Sequence, residues 1–372
     1  MKTTPAMNNT ITLQLTHGPG NPRNSEGAFA TLKDGRLVFI YSRYDGDDWA
    51  DEATARLCAR YSADGGRTWT AEDIVVVENE GRCNVMSVSL LRLQDGRLGL
   101  WYLRKDGIDN CHAYLRTSDD DATWSAPTCC IPAPGYFVVN NDRVVQLNSG
   151  RLIVPASYHR NRLPPGADPR NVYASMDGRG IAIWFLSDDG GATWRESSDW
   201  WALPVRSGSG LQETGVVELR DGRLYAYCRT DVGRQYEMSS EDGGDTWASP
   251  RPSTFQGPCA PLSIKRLPTG DLLAVWNDHS GRLAPVPTDA TFTAQSWGRT
   301  PLVCALSRDD GHTWERHKLL EDDPARGYCY TAVHPAEDAV LLAYCCGGGG
   351  SGVPLQDSCI RRVDYDYLGV RN

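Results

Sequence analysis

The chain has 372 residues, with 38 Lys and Arg against 47 Asp and Glu, a formal charge of −9 and a pI near 5.3. That balance argues against nucleic acid or an anionic membrane surface as a partner, and no stretch approaches the ~20 apolar residues of a membrane-spanning helix. The opening Met-Lys-Thr-Thr-Pro-Ala-Met-Asn-Asn has no apolar core of the kind a secretion signal needs, so a cytoplasmic location is expected. The 12 cysteines fit that expectation as reduced, buried thiols: Cys58, Cys228 and Cys304 fall where strands should be, and Cys129-Cys130 and Cys345-Cys346 are adjacent. None has zinc-site spacing, and no metal or other cofactor is expected.

In chain order, the first element is a strand over 11–15, in which Ile11, Leu13 and Leu15 alternate. Two signals then recur. One is a tight turn of Asp-Gly-Arg-Leu type at 34–37, 95–98, 149–152, 221–224 and 269–272, with a degenerate sixth at Glu337-Asp338. The segments that follow, such as 37–41, 98–102, 224–227 and 272–276, are apolar and aromatic, which suits strands buried between layers. The other signal is Ser-x-Asp-x-Gly-x-Thr-Trp or a close variant at 62–69, 118–124 (one residue short), 187–194, 240–247 and 307–314. Each copy resembles an Asp-box, a turn held by the Asp side chain and the Gly backbone while the Trp packs between sheets. One turn chemistry recurring unit after unit, five times in all, marks construction and not catalysis.

Six turns imply six four-stranded antiparallel sheets of about 50 to 70 residues each, and such repeats overrule the two or three domains that length alone suggests. The expected architecture is one all-β domain over 1–372, a six-bladed β-propeller. The sixth unit lacks an Asp-box and its last clear strand covers 359–367, so the N-terminal strand is expected to complete it and close the ring.

In such a unit the first strand runs to the Gly turn and the Asp-box lies at that same end, which leaves the opposite end for function. Counting back nine residues from each turn glycine gives Glu26, Ser87, Asn141, Glu213 and Pro261, and the degenerate sixth turn gives Tyr328. Counting forward seven or eight gives Arg43, Arg104, Tyr158, Arg229 and Asp278. Long insertions follow at 45–53, 159–180 and 279–295, and long loops on one rigid face commonly carry binding chemistry. Arg143 reads either as a substrate contact or as a partner of Asp142, and His159 and His279 either as sugar contacts or as surface residues.

Four local segments resemble the sialidase (neuraminidase) superfamily, and with the Asp-boxes the likeness covers essentially the whole chain. Glu213 opens Glu-Thr-Gly-Val-Val-Glu-Leu-Arg-Asp-Gly with Arg229 sixteen residues on, similar to the family's Glu-x-x-Val-Val-Glu-Leu-x-Asp-Gly and its arginine. Arg299 precedes the fifth Asp-box, Gly327-Tyr328-Cys329-Tyr330 begins the sixth unit, and Asp51-Glu52-Ala53-Thr54-Ala55 resembles the segment of the family's acid/base aspartate. The resemblance implies Tyr328 as nucleophile, with Tyr330 on the same strand face as its competitor, Glu213 as its base, Asp51 as acid/base, and Arg229 and Arg299 as clamps for an anionic or hydroxyl-rich group. One departure stands out. The family's first-unit arginine is replaced by Glu26, with Arg23 nearby, which points away from sialic acid itself. The expected activity is a retaining, metal-independent exo-glycosidase acting on a terminal sugar of a small oligosaccharide. A non-catalytic glycan-binding propeller and a polysaccharide lyase on the same scaffold are the alternatives.

Overall fold

A computed structural model describes residues 9–370 apart from 163, 165, 169, 171–175, 288–294 and 351. Parts of the insertions at 159–180 and 279–295, and the N-terminal residues 1–8, lie outside the described residues. Among the described residues the structure is almost entirely β, and no helix is long and apolar enough to cross a membrane.

The first repeat forms a four-stranded antiparallel sheet in chain order, Asn24–Thr31, Leu37–Tyr44, Ala55–Ser62 and Ile74–Val77. The fourth repeat (Gln212–Glu218, Leu224–Arg229, Arg234–Ser240, Arg251–Gln256) and the fifth (Ser263–Arg266, Leu272–Asn277, Leu302–Ser307, Glu315–Glu321) do the same. In the sixth, Cys329–Pro335, Ala339–Cys345 and Ser358–Asp364 are followed outward by Asn9–Leu15, paired antiparallel to Ser358–Asp364. The strand expected over 359–367 is shorter, because the chain turns into a single helical turn at Tyr365–Leu368.

Six separate sheets are not what hydrogen bonding gives. The second and third repeats share one sheet, because Gly135–Val138 pairs parallel with Asn110–Ser118 and antiparallel with Leu152–His159. The flanking strands Thr128–Cys129 and Val145–Gln146 have only two residues each and leave open edges, which the connecting segment occupies.

Each Asp-box serine ends the third strand of its repeat and pairs with the leucine just after the Gly turn: Leu37 with Ser62, Leu98 with Ser118, Leu152 with Ser187, Leu224 with Ser240 and Leu272 with Ser307. The turn chemistry is visible in the first box. Asp64 Oδ1 accepts from the backbone N–H of Arg67 at 3.0 Å and of Thr68 at 2.9 Å, Oδ2 accepts from the Thr68 hydroxyl at 2.7 Å, and Ser62 Oγ accepts from the N–H of Gly66 at 2.9 Å. Gly66 stands at φ +82, and a Cβ there would meet the Leu341 side chain at 2.7 Å. The short second box keeps the same pattern, with Asp120 accepting from the N–H of Ala122 and Thr123.

Six apolar clusters hold the sheets together, each between successive repeats and the sixth between the last repeat and the first. Five of them receive an Asp-box tryptophan: Trp69, Trp124, Trp194, Trp247 and Trp314. Trp247 stacks on Trp184 at 4.2 Å between ring centroids. Between the fifth and sixth repeats, where no box supplies a tryptophan, Tyr365, Leu368 and Val370 from the helical turn and its exit fill the cluster.

Candidate active site

At the end away from the Asp-boxes, first strands carry a bulge. Register shifts fall between Ser25 and Ala28, Met86 and Ser89, Gln212 and Gly215, and Cys329 and Ala332. At these bulges Glu26, Ser87, Glu213 and Tyr330 stand at φ 58, 58, 50 and 60, left-handed conformations that cost a non-glycine residue about 1 kcal/mol or more and recur at functional sites. All four line one cavity of about 280 Å³, with Asp51, Lys105, His159, Arg229, Arg299, Trp49 and Trp297 among its other walls.

At its centre, Tyr330 Oη donates to Glu213 Oε1 at 3.0 Å. Arg229 Nη1 is also bound to Glu213 Oε1 and lies 3.5 Å from Tyr330 Oη. Burial, then the facing Glu213 carboxylate, push the Tyr330 phenol well above its ordinary range, so it stands neutral with its proton aimed at a base. Arg299 lies over the Tyr330 and Trp297 rings, its carbon 5.5 and 5.1 Å from their centroids. Each arginine also rests on sulfur. Arg229 Nε donates to Cys259 Sγ and Arg299 Nη1 to Cys329 Sγ, both at 3.1 Å. Burial opposes ionisation of Cys329, but the Cys345 hydrogen bond and the Arg299 charge outweigh it and draw the thiol down to about 7.

The opposite wall is organised by Arg23, which is fully buried. It donates to Glu26 Oε1 at 2.9 Å, Asp51 Oδ1 at 2.5 Å and Ser25 Oγ at 2.9 Å, while Ser87 Oγ donates to Glu26 Oε2 at 2.6 Å. Burial raises the Glu26 carboxyl above its usual range although Arg23 pulls it down. The Asp51 backbone carbonyl accepts from Lys105 Nζ at 2.8 Å and from Asn84 Nδ2 at 2.7 Å, which fixes the loop carrying Asp51 against the second repeat. His159 Nδ1 donates to the Asp177 backbone carbonyl at 2.9 Å, and burial holds its imidazole below the usual range, hence neutral.

Tyr328 requires correction. It is only 3% exposed, packs with Leu302, Leu320 and Tyr344 in the cluster between the fifth and sixth repeats, and does not line the cavity. Its count was anchored on a turn without a glycine. The N–H of Leu32 closes the first turn on Arg36 O and that of Leu219 the fourth on Arg223 O, but that of Ala336 closes the sixth on Ala339 O, one residue sooner. Glu26, Glu213 and Tyr330 each stand six residues before those three donors, so Tyr330 occupies the place in the sixth repeat that Glu213 occupies in the fourth.

Other expected contacts are occupied elsewhere. Arg43 pairs with Asp45 at 2.5 Å and Asp73 at 3.2 Å, away from the cavity. Asn141 donates to Gly27 O at 2.8 Å and Tyr330 O at 3.0 Å, tying three repeats together beneath the site. Arg143 neither reaches the cavity nor pairs with Asp142: it is 2% exposed and donates to Leu262 O, Tyr227 Oη and Ser263 Oγ, while Asp142 pairs with Lys265. Asp278 caps Ser280, and His279 Nε2 lies 3.1 Å from both Gly298 O and Thr300 O. The residues missed were Lys105, Trp49, Trp297 and Arg23 as the link behind the wall. For Lys105 the signal was one position off, since the forward count stopped at Arg104, whose side chain points to the other face of the strand and pairs with Asp106.

Over residues 60–342 the chain matches the BNR repeat-like domain family. It is 26% identical over 339 residues to a sialidase of Micromonospora viridifaciens, covering 81% of this chain and 47% of that protein, so it spans about half the length of that relative. A xyloglucanase of a Paenibacillus species is 26% identical over 226 residues, 60% of this chain and 20% of that protein. Among solved structures, the leech intramolecular trans-sialidase in complex with 2,7-anhydro-Neu5Ac superposes with a TM-score of 0.69 at 14% identity, over 96% of this chain and 71% of that one. A protein of unknown function from Dyadobacter fermentans gives 0.68 at 17% identity over 96% and 98%. At those identities the structural likeness speaks for the fold. Repeated boxes, sheet order and these matches agree: the chain belongs to the BNR-repeat family of the sialidase superfamily.

Proposed function

We propose that the protein is a six-bladed propeller working as a retaining exo-glycosidase, with Tyr330 as nucleophile, Glu213 as its base and Asp51 as acid/base. The observation that carries this reading is the hydrogen bond from Tyr330 Oη to Glu213 Oε1 at 3.0 Å inside an arginine-flanked cavity. A phenol is a weak nucleophile until a neighbouring base takes its proton. In the first step Tyr330 Oη bonds to the anomeric carbon, its proton passes to Glu213, and the leaving oxygen departs with a proton from Asp51. In the second, Asp51 takes a proton from water, whose oxygen displaces Tyr330, and the phenol recovers its proton from Glu213. Tyrosine in place of a carboxylate is the known exception among glycosidases.

The cavity, about 280 Å³, lies at the lower edge of ordinary ligand pockets, which suits one terminal sugar and not the interior of a polymer. Arg229 and Arg299 orient it. Glu26 already accepts from Arg23 and Ser87, so it presents a filled, buried carboxyl where a carboxylated sugar would want a cation, and the preferred substrate has no carboxylate over Glu26. The test is a panel of aryl glycosides, sialic acid and neutral sugars together, with product analysis, followed by trapping with the fluorinated analogue of the best substrate. A glycosyl adduct on the Tyr330 peptide is expected. An unsaturated product absorbing in the ultraviolet would instead identify a lyase, and no product with measurable sugar binding a binding module.

A further inference from the structure

The cavity rim holds a cluster of charge that the reaction above does not use. Asp177, whose side chain is 4% exposed, receives three guanidinium groups on Oδ2: Arg160 Nη2 at 2.7 Å, Arg162 Nη2 at 2.7 Å and Arg179 Nη2 at 2.9 Å. One carboxylate neutralises one arginine, so the group carries two excess positive charges in a chain whose formal charge is −9. The three side chains are 56%, 55% and 53% exposed, and the Nη1 of each donates to nothing among the described residues. The buried carboxylate therefore gathers and orients the arginines while leaving their outer edges open. Their position is fixed to the cavity: Arg160 follows His159 and Asp177 follows Met176, both cavity walls, Asn161 bridges to Met176, and Asp177 O meets the His159 ring.

We propose that Arg160, Arg162 and Arg179 form a binding site for an oxyanion, a sulfate ester or a uronate carboxylate, on the sugar next to the one held in the cavity. The proposal rests on the glycosidase reading for the place of that neighbouring sugar. Guanidinium edges match both groups through paired N–H donors, and an outward-facing set of three suits a substituent that stays half in solvent.

The test uses the full chain carrying Tyr330→Phe, so that ligands are not consumed, and titration calorimetry with three trisaccharides that differ only on the second sugar: sulfated, oxidised to the uronate, and neutral. At least one charged trisaccharide is expected to bind about tenfold or more tightly than the neutral one, as one or two charge-assisted hydrogen bonds would give. Added salt should narrow the gap. In Arg160→Ser/Arg162→Ser, which leaves a neutral Asp177–Arg179 pair, the gap should close, and Arg162→Glu, which brings the cluster to the same net charge of zero, should close it as well. Equal affinities, a gap that survives the double substitution, or no binding of either charged ligand at millimolar concentration overturns the proposal. The relative affinities of sulfate and uronate say which oxyanion it takes. Wild-type protein that hydrolyses no glycoside while the gap persists would sink the hydrolase reading and leave this site standing; hydrolysis without a gap would do the reverse.

Discussion

The two ends of each repeat obey opposite rules. At the Gly-turn end five repeats write nearly the same residues and make the same bonds, Ser to Asp, Asp to one or two N–H groups, Trp into the cluster beside it. At the other end the backbone repeats in four repeats, with a left-handed residue in a bulge, but the side chains differ, two carboxylates, a hydroxyl and a phenol: Glu26, Glu213, Ser87 and Tyr330. A conserved local geometry with unlike side chains aims different chemistry at one point. Construction needs sameness from repeat to repeat, and a site needs difference.

The strongest way to break that contrast is at the variable end. Tyr330→Phe should lower kcat at least about a thousandfold, while Tyr328→Phe, three-dimensionally a packing residue, should stay within a fewfold of wild type. The reverse outcome in steady-state kinetics would return the nucleophile to Tyr328. Glu213→Gln should cost about 10² to 10⁴ in kcat, the range for a lost general base, with the melting temperature nearly kept. A fall of many degrees without loss of turnover would make Glu213 a structural partner of Arg229 alone.

At the constant end the readout moves from rate to stability. Trp247→Ala removes a ring that is 4% exposed and stacked on Trp184, and should destabilise by about 3–5 kcal/mol in denaturant melts, with kcat preserved below the new transition. The smallest effect concerns acid. Asp189 and Asp309 are held down to about 2, first by the hydroxyls of Thr193 and Thr313. Their folded values lie below the unfolded ~3.9, so their contribution is complete above about pH 4 and is lost as pH falls through about 2. Asp189→Asn/Asp309→Asn should flatten the stability profile across that window in melts followed by circular dichroism; an unchanged slope would show that other carboxylates govern acid unfolding.

Legibility in the sequence follows the same division. The boxes and turns could be read because each demands particular residues at fixed spacing, Gly66 at positive φ being one case. The terminal strand could be read because the sixth repeat lacked a partner for it. Glu26, Ser87, Glu213 and Arg229 were reached by counting, Asp51, Arg299 and Tyr330 by the family likeness of their segments, and all line the cavity. Counting failed where its anchor did: a shorter sixth turn moved the choice to Tyr328, and strand alternation turned Arg104 outward and Lys105 inward. Trp49 and Trp297 come from loops, where no period exists to count. The joining strand Gly135–Val138 was invisible because it is defined by open edges of other strands and not by its own residues.

The pairing of Asn9–Leu15 with Ser358–Asp364 has a consequence for biosynthesis. On the ribosome the first repeat can fold as it emerges, but Asn9–Leu15 must wait, with an exposed edge, until Ser358–Asp364 has been made. During that interval its Ile11, Leu13 and Leu15 remain a sticky, unpaired segment. Once Ser358–Asp364 arrives, one event joins strands more than 340 residues apart in sequence, and because Asn9 lies opposite Val363, tension drawing those two residues apart in a pulling experiment would peel the pair open from that end, one hydrogen bond after another.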